Sequence, residues 1–520
     1  MNRNTLLARL NQPQKVWDFI VIGGGATGLG VGVDAASRGF DVLLLEHGDF
    51  GCGTSSRSTK LVHGGVRYLQ QGNVALVLEA LKERGILRDN APHLVHDLPF
   101  VVPNYDWWEG PFYGIGLKIY DLLAGKHGFG ESRHLSTEET ILHLPTIETN
   151  GLLGGTLYYD GQFDDARLAI NLAQTMYEQG GTPINYVSVT NLIKTGAMAS
   201  GVVAADRETG NTYQLNARAV INATGVFADS VCQMDDPKSP KMIAPSQGIH
   251  FVLDESFLPG NSAIMVPHTD DGRVLFAIPW HHRTLVGTTD TPVTEIVAEP
   301  IPLKEEIDFL LKHAARYLAK NPSTNDILSV FAGLRPLVKS GDEFETAAIS
   351  RDHKIHISRS GLITIAGGKW TTYRKMAEDT VDQAILVARL DHRPCVTLEL
   401  HHHGYHLHSE KFDHLKNYGS DAPAIMDLLN SNKKLAERIL PDVNIQVGEI
   451  IWAVRNEMAR TVEDFLSRRT RLLLLDTRKS VEMATCVAET MAEELGKNIH
   501  WIHQQTENFK RLASDYLVLK

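Results

Sequence analysis

The chain has 520 residues, 43% of them hydrophobic and 22% charged, a globular composition with room for several domains. A formal net charge of −11 opposes a general nucleic-acid binder, which needs cations for the phosphates. Four cysteines with no C-x-x-C spacing make neither a disulfide framework nor a thiolate zinc site, and no apolar run reaches the roughly 18 residues of a transmembrane helix.

The chain starts with Arg3, Arg9 and Lys15 but no apolar core of signal-peptide length, so the expected setting is the cytoplasm. Trp17 to Ile22 is a nearly continuous apolar run, as a buried parallel strand requires. It leads into Gly23-Gly24-Gly25-Ala26-Thr27-Gly28, a G-x-G-x-x-G, then a helix-compatible segment to Gly39 and a second apolar strand ending at Glu46. Gly23 permits the turn, Gly25 admits a pyrophosphate to the helix N-terminus beside Thr27, and Gly28 lets helix and strand approach. Glu46 lies 18 residues after Gly28, where an acid can bind ribose hydroxyls. The motif serves FAD and NAD alike.

Residues 51–69 are dense in hydroxyls and backbone donors, with Thr54, Ser55, Ser58, Lys60 and Leu61 as candidate cofactor contacts; a solvated polar turn is the alternative. His63 and Arg67 are four apart, so a helix would place them on one face, next to Tyr68. Trp107 to Tyr120 is the most aromatic stretch, suited to a membrane interface or to packing in a core or between subunits. The strand-like Ala219–Asn222 runs into Ala223-Thr224-Gly225, and 362–368 ends in paired glycines beside Lys369 and Thr371. These later segments, with Gly368 near the ring, favour FAD over NAD. His281 and His282 sit at an expected hairpin tip without assigned chemistry.

Arg335 lies in the apolar Phe331–Leu337, where a guanidinium needs an anionic partner; Arg351 and Lys369 are similar. With Arg67 they are candidates to converge on one phosphate, or each forms a structural ion pair. The histidine-rich run 401–408 reads as a solvated linker, with a divalent metal as the alternative; no metal ligand is assigned. Beyond about residue 420 glycine thins out and apolar residues recur at helical spacing (Ile450, Ala453, Val454, Met458). Arg468, Arg469 and Arg471 suit anionic lipid or salt bridges within that domain.

Taken together, these segments resemble the FAD-dependent glycerol-3-phosphate dehydrogenases of the bacterial aerobic and mitochondrial type. The matching segments run in order from Thr54–Leu69 through Tyr159-Asp160-Gly161 and Pro245–His250 to Gly333–Pro336, Gly367-Gly368-Lys369 and Arg468–Arg471. Val226-Phe227 departs from the family's usual Pro-Trp. The resemblance implies an α/β fold: a Rossmann-like FAD domain, a substrate domain of mixed or antiparallel sheet like that of glycine oxidase and D-amino-acid oxidase, and a helical C-terminal domain. FAD parts are expected at about 15–90, 155–235 and 345–390, substrate parts at about 91–154 and 236–344, and the helical domain at 401–520.

It further implies oxidation of glycerol 3-phosphate to dihydroxyacetone phosphate, with His63, Arg335 and Lys369 as catalytic groups and Arg67, Tyr68 and Arg351 as substrate contacts. His63 is the expected base, Arg335 the alkoxide stabiliser, and Lys369 a counter-charge to reduced flavin. Electrons are expected to pass to a membrane quinone, with peripheral contact on the inner face of the cytoplasmic membrane and a homodimer as the assembly. An oxygen-using glycerophosphate oxidase and a glycine- or sarcosine-type amine oxidase are the alternatives on this scaffold.

Overall fold

The computed structural model describes residues 1–12, 14–65, 73–266, 269–270, 273–339 and 353–518. Val16–Ile22 pairs in parallel with Val42–Leu45 on one side and Thr212–Asn222 on the other. Phe19–Ile22 and Val42–Leu45 are buried throughout, which is why they read as continuous apolar runs. Thr182–Ile184 extends the sheet beyond Val42–Leu45, and Ile363–Gly367 followed by His353–Ile357 extends it the other way. Helices Ala26–Ser37, Asp165–Glu178 and Tyr373–Ala388 cover it, with the first packed against both others.

The second sheet is mostly antiparallel. Its path runs Thr291–Pro292, Ile243–Asp254, Arg283–Gly287, Leu275–Pro279, Ala263–Val266, Val95–Asn104, Gly154–Phe163 and Leu61–Val62. Ser329–Val338 pairs antiparallel with Ile243–Asp254, setting Arg335 opposite Ser246 and Gly333 opposite Gly248. Gly154–Phe163, sequence-assigned to the FAD part, is a strand of this second sheet.

Helices Ala422–Ser431, Val447–Glu457, Thr477–Leu495 and Ile499–Ser514 dominate the C-terminal domain, which also holds a small hairpin of Arg438–Leu440 and Val443–Gln446. Gly496 closes Thr477–Leu495 in the left-handed conformation, and Asn498 caps the next helix by accepting from the Trp501 N–H. Phe465, Leu466 and Leu473 share one apolar core with Trp280, Leu285 and Phe331 of the second sheet, so the domain is docked by burial.

Buried charges cross that junction. Asp49, just beyond Val42–Leu45, accepts from Arg468 Nε at 2.6 Å and pairs with Arg469. Arg167 pairs with Glu457, and Arg471 reaches Asp164 at 2.8 Å. These arginines are buried and tie the domains together, while Arg468 also pairs with Glu463 and Asp464 inside the C-terminal domain. His281 is also engaged, with Nε2 3.5 Å from Asp164.

The histidine run departs from a solvated linker. His401 stacks on Tyr405, and His402 is buried with Nε2 2.7 Å from the Tyr373 hydroxyl. His403 lies between two carboxylates, Nδ1 2.6 Å from Glu178 and Nε2 2.8 Å from Asp421. Carboxylates only accept, so both ring nitrogens carry protons and the side chain is an imidazolium clamp. Burial pulls its pKa down, but the hydrogen bonds to Asp421 and Glu178 outweigh this and push it up to about 9. A raised folded-state pKa gives stability that is complete below the ordinary value of 6.5 and is lost as pH rises through about 9. Denaturant unfolding followed from pH 6 to 10 should lose on the order of 1–3 kcal/mol with this midpoint, and His403→Gln should abolish that step.

Helix Glu109–Ala124 is apolar on two sides. Tyr113, Leu117 and Tyr120 are buried, whereas Phe112, Ile115, Ile119 and Leu122 are exposed, Leu122 to 81%, with Trp107 just before the helix 84% exposed. Core packing therefore accounts for only half of this aromatic segment. No helix among the described residues is long and apolar enough to cross a membrane.

Candidate functional site

A cavity of about 860 Å³ runs between the two sheets and reaches the C-terminal domain. One end is a dinucleotide cradle. Gly23 has φ +106°, and a Cβ there would lie 2.7 Å from the Ala223 carbonyl, so only glycine fits. Gly25 gives helix Ala26–Ser37 no side-chain cap of its own; Ser55 Oγ accepts from the Ala26 N–H at 2.9 Å, and Gly25, Ala26 and Thr27 put the helix N-terminus at the cavity wall. Gly28 is behind the wall: a Cβ there would lie 1.9 Å from the Gly23 carbonyl, so it serves helix–strand packing.

Glu46 lines the cavity and accepts from the Gly24 N–H at 2.6 Å and the Gly48 N–H at 2.7 Å. Burial pushes its carboxyl up, against those two N–H groups. Thr54, Ser55, Ser58 and Leu61 also line the space, as do Ala223, Thr224, Gly225, Gly368 and Thr371. Trp370 Nε1 donates to the Ser55 carbonyl at 2.8 Å, tying the closing strand to the 54–56 turn.

Lys60 does not face the cavity. Its ammonium is fully buried, donating to Asp165 at 2.8 Å and to the Ser56 carbonyl at 2.7 Å. Ser58 Oγ donates to the same carboxylate at 2.7 Å. Lys60 thus holds the loop behind the site; an ammonium without a nearby carboxylate is costly to bury, and Asp165 is the carboxylate available.

The other end is cationic. Arg335 extends from Ser329–Val338 into the cavity, its Nη2 donating to the Thr289 carbonyl at 2.8 Å and the Thr288 hydroxyl at 3.1 Å, and Nη1 lying 3.4 Å from Asp290. The guanidinium passes directly over Gly248, where a Cβ would lie 2.4 Å from Arg335 Nη2. His63 and Lys369 line the same end. Arg67, Tyr68 and Arg351 lie outside the described residues.

Several wall residues escape the sequence reading. His250 stacks on Phe331 with ring centroids 5.2 Å apart, and its Nε2 is 2.9 Å from the Thr59 hydroxyl. Burial, with Lys60 and Arg335 nearby, holds its imidazole well below the ordinary range, so the ring is neutral. The signal was available: Ser246, Gly248 and His250 alternate along one face of an otherwise apolar strand. Arg57, Asp49, Glu299, Glu463 and Arg468 also line the cavity, and local sequence carries no such signal for them. No group of three or more His, Cys, Asp or Glu side chains is arranged to hold a metal among the described residues.

The combination can hold a dinucleotide along the cradle and an anionic substrate at the Arg335 end. The family model described as FAD dependent oxidoreductase matches residues 18–374, and that of the C-terminal domain of alpha-glycerophosphate oxidase matches 359–501. The mitochondrial glycerol-3-phosphate dehydrogenase of Schizosaccharomyces pombe is 38% identical over 99% of this chain and 89% of its own length. A crystal structure of glycerol-3-phosphate dehydrogenase from Bacillus halodurans complexed with FAD has a TM-score of 0.82 at 31% identity, covering 99% of this chain and 98% of that one. Glycine oxidase from Geobacillus kaustophilus shares the fold, with a TM-score of 0.53 at 21% identity over 74% of this chain and 98% of its own.

Proposed function

The chain belongs to the FAD-dependent glycerol-3-phosphate dehydrogenase family, and from that premise we propose how its residues divide the oxidation of glycerol 3-phosphate to dihydroxyacetone phosphate. The observation that carries the reading is a single cavity joining the Gly23–Thr27 cradle to the cationic end at Arg335 and Lys369. Bound FAD supplies the hydride acceptor, flavin N5, for the hydrogen at substrate C2.

His63 takes the hydroxyl proton, since imidazole exchanges protons near neutral pH. Arg335, already oriented by Thr289 and Asp290, stabilises the charge that develops on the substrate oxygen. Lys369 supplies positive charge at the closing turn beside Gly368. Arg67, Tyr68 and Arg351 hold the phosphate in this reading, and that remote binding energy orients C2 for transfer. The test is anaerobic mixing: glycerol 3-phosphate should bleach the flavin, and glycine or sarcosine should not. Bleaching by the amino acids alone would favour the amine-oxidase reading.

The acceptor we propose is a membrane quinone, reached from the inner face of the cytoplasmic membrane. The exposed apolar side of Glu109–Ala124, with Trp107 and Lys118, supports peripheral contact there. Ile115→Asp with Leu122→Asp should cut binding to lipid vesicles at least tenfold in co-sedimentation while dye-linked activity in solution persists. Peroxide formation in air at the full turnover rate would instead favour the oxidase reading. Sedimentation of the purified protein tests the homodimer.

A further inference from the structure

The cavity is closed by three segments distant in sequence. Arg57, in the loop after the cradle, is buried; its Nη1 donates to the Ala298 carbonyl at 3.2 Å and its Nη2 to Glu299 at 2.5 Å. Ala298 and Glu299 lie at a bend in the segment between Thr291–Pro292 and helix Lys304–Ala314, which has no regular structure of its own. Glu299 accepts in turn from the hydroxyl of Tyr516, just past the last helix, at 3.2 Å. On the C-terminal side Arg468 bonds Asp49, Glu463 at 2.8 Å and Asp464 at 2.7 Å. Arg57, Ala298, Glu299, Glu463 and Arg468 all line the same cavity as the cradle.

The two sets of contacts differ in burial. Asp49 and Arg468 are shielded from solvent, whereas the Glu299 side chain is 38% exposed and marks the rim. Removing a charge from a shielded network strands its partners, so that side stays shut. A rim carboxylate can be rehydrated when it leaves its partner, so opening there is cheaper.

We propose that Arg57, Glu299 and Tyr516 form a latch that retains FAD. The strap at 298–299 opens to release or admit the cofactor, while the Asp49–Arg468 junction holds the C-terminal domain fixed. The inference rests on the FAD reading and adds positioning residues from the substrate and C-terminal domains to a site whose sequence motifs lie in the FAD domain. None of the three residues needs to touch the reacting atoms.

The test is the rate at which purified holoenzyme releases FAD after dilution, followed by the rise in free-flavin fluorescence, for Glu299→Ala, Tyr516→Phe and the double variant. Glu299→Ala should release FAD on the order of 10-fold faster than wild type, and Tyr516→Phe should do so to a smaller degree. Because the tyrosine acts through the carboxylate, adding Tyr516→Phe to Glu299→Ala should change nothing further. Release within twofold of wild type for Glu299→Ala, or full additivity of the two substitutions, overturns the latch. If Glu299→Ala does not fold, Tyr516→Phe decides alone, and wild-type release by that variant overturns it. A wild-type protein that binds no flavin overturns the cofactor reading itself, a result distinct from unchanged release by a yellow variant.

Discussion

Arg335→Leu is expected to lower kcat/KM for glycerol 3-phosphate by about 10²–10³-fold in steady-state assays, most of it in kcat. The side chain comes from a sheet strand, and its guanidinium is fixed by the Thr289 carbonyl, the Thr288 hydroxyl and Asp290. A donor held this way needs no reorganisation when negative charge grows on the substrate oxygen, and a shielded cavity makes each such contact stronger than in water. Leucine removes the charge and also leaves Asp290, which is buried, with one fewer cationic neighbour. Arg335→Lys separates these effects. A lysine can satisfy Asp290 without reproducing the planar fork, so it should restore stability while leaving most of the catalytic loss. A change confined to KM would move Arg335 from transition-state stabilisation to ground-state binding.

Asp49→Ala is expected to destabilise the protein by about 3–5 kcal/mol and to strip it of flavin. Asp49 is buried and receives Arg468 and Arg469 from the C-terminal domain while lining the cofactor cavity. Alanine leaves two buried guanidinium groups short of a carboxylate. Burial pushes the Asp49 carboxyl up, but Arg469 and Arg468 outweigh this and hold it below its ordinary 3.8. Its contribution is therefore complete above that ordinary value and is lost as pH falls through the depressed one. Urea unfolding at neutral pH, with flavin content read from visible absorbance, checks both halves. Wild-type stability with full flavin would mean that apolar packing alone docks the domain.

The first strand–helix–strand unit was legible because its determinants are local. Apolar Trp17–Ile22, the glycines that follow and the acid at Glu46 specify strand, turn and cradle within one short segment. The helical C-terminal domain was legible from apolar spacing, though its small hairpin was not. Arg335 stood out because a guanidinium in an apolar strand demands a reason. The histidine run misled: a cluster of polar side chains read as solvated, yet His402 and His403 find partners on helices outside the run, Tyr373 and the distant Glu178.

Local pattern thus determined the cofactor cradle, the helical character of the C-terminal domain and the candidate charges of the active site, because each follows from neighbours along the chain; the substrate domain came from the family resemblance. Only the tertiary structure decided which charges face the cavity. It turned Lys60 inward to Asp165, set His250 beside Thr59, and carried Arg468 of the C-terminal domain to Asp49. Those outcomes depend on strand register and on which buried charge finds which partner across domains, and both are set by contacts between residues hundreds of positions apart.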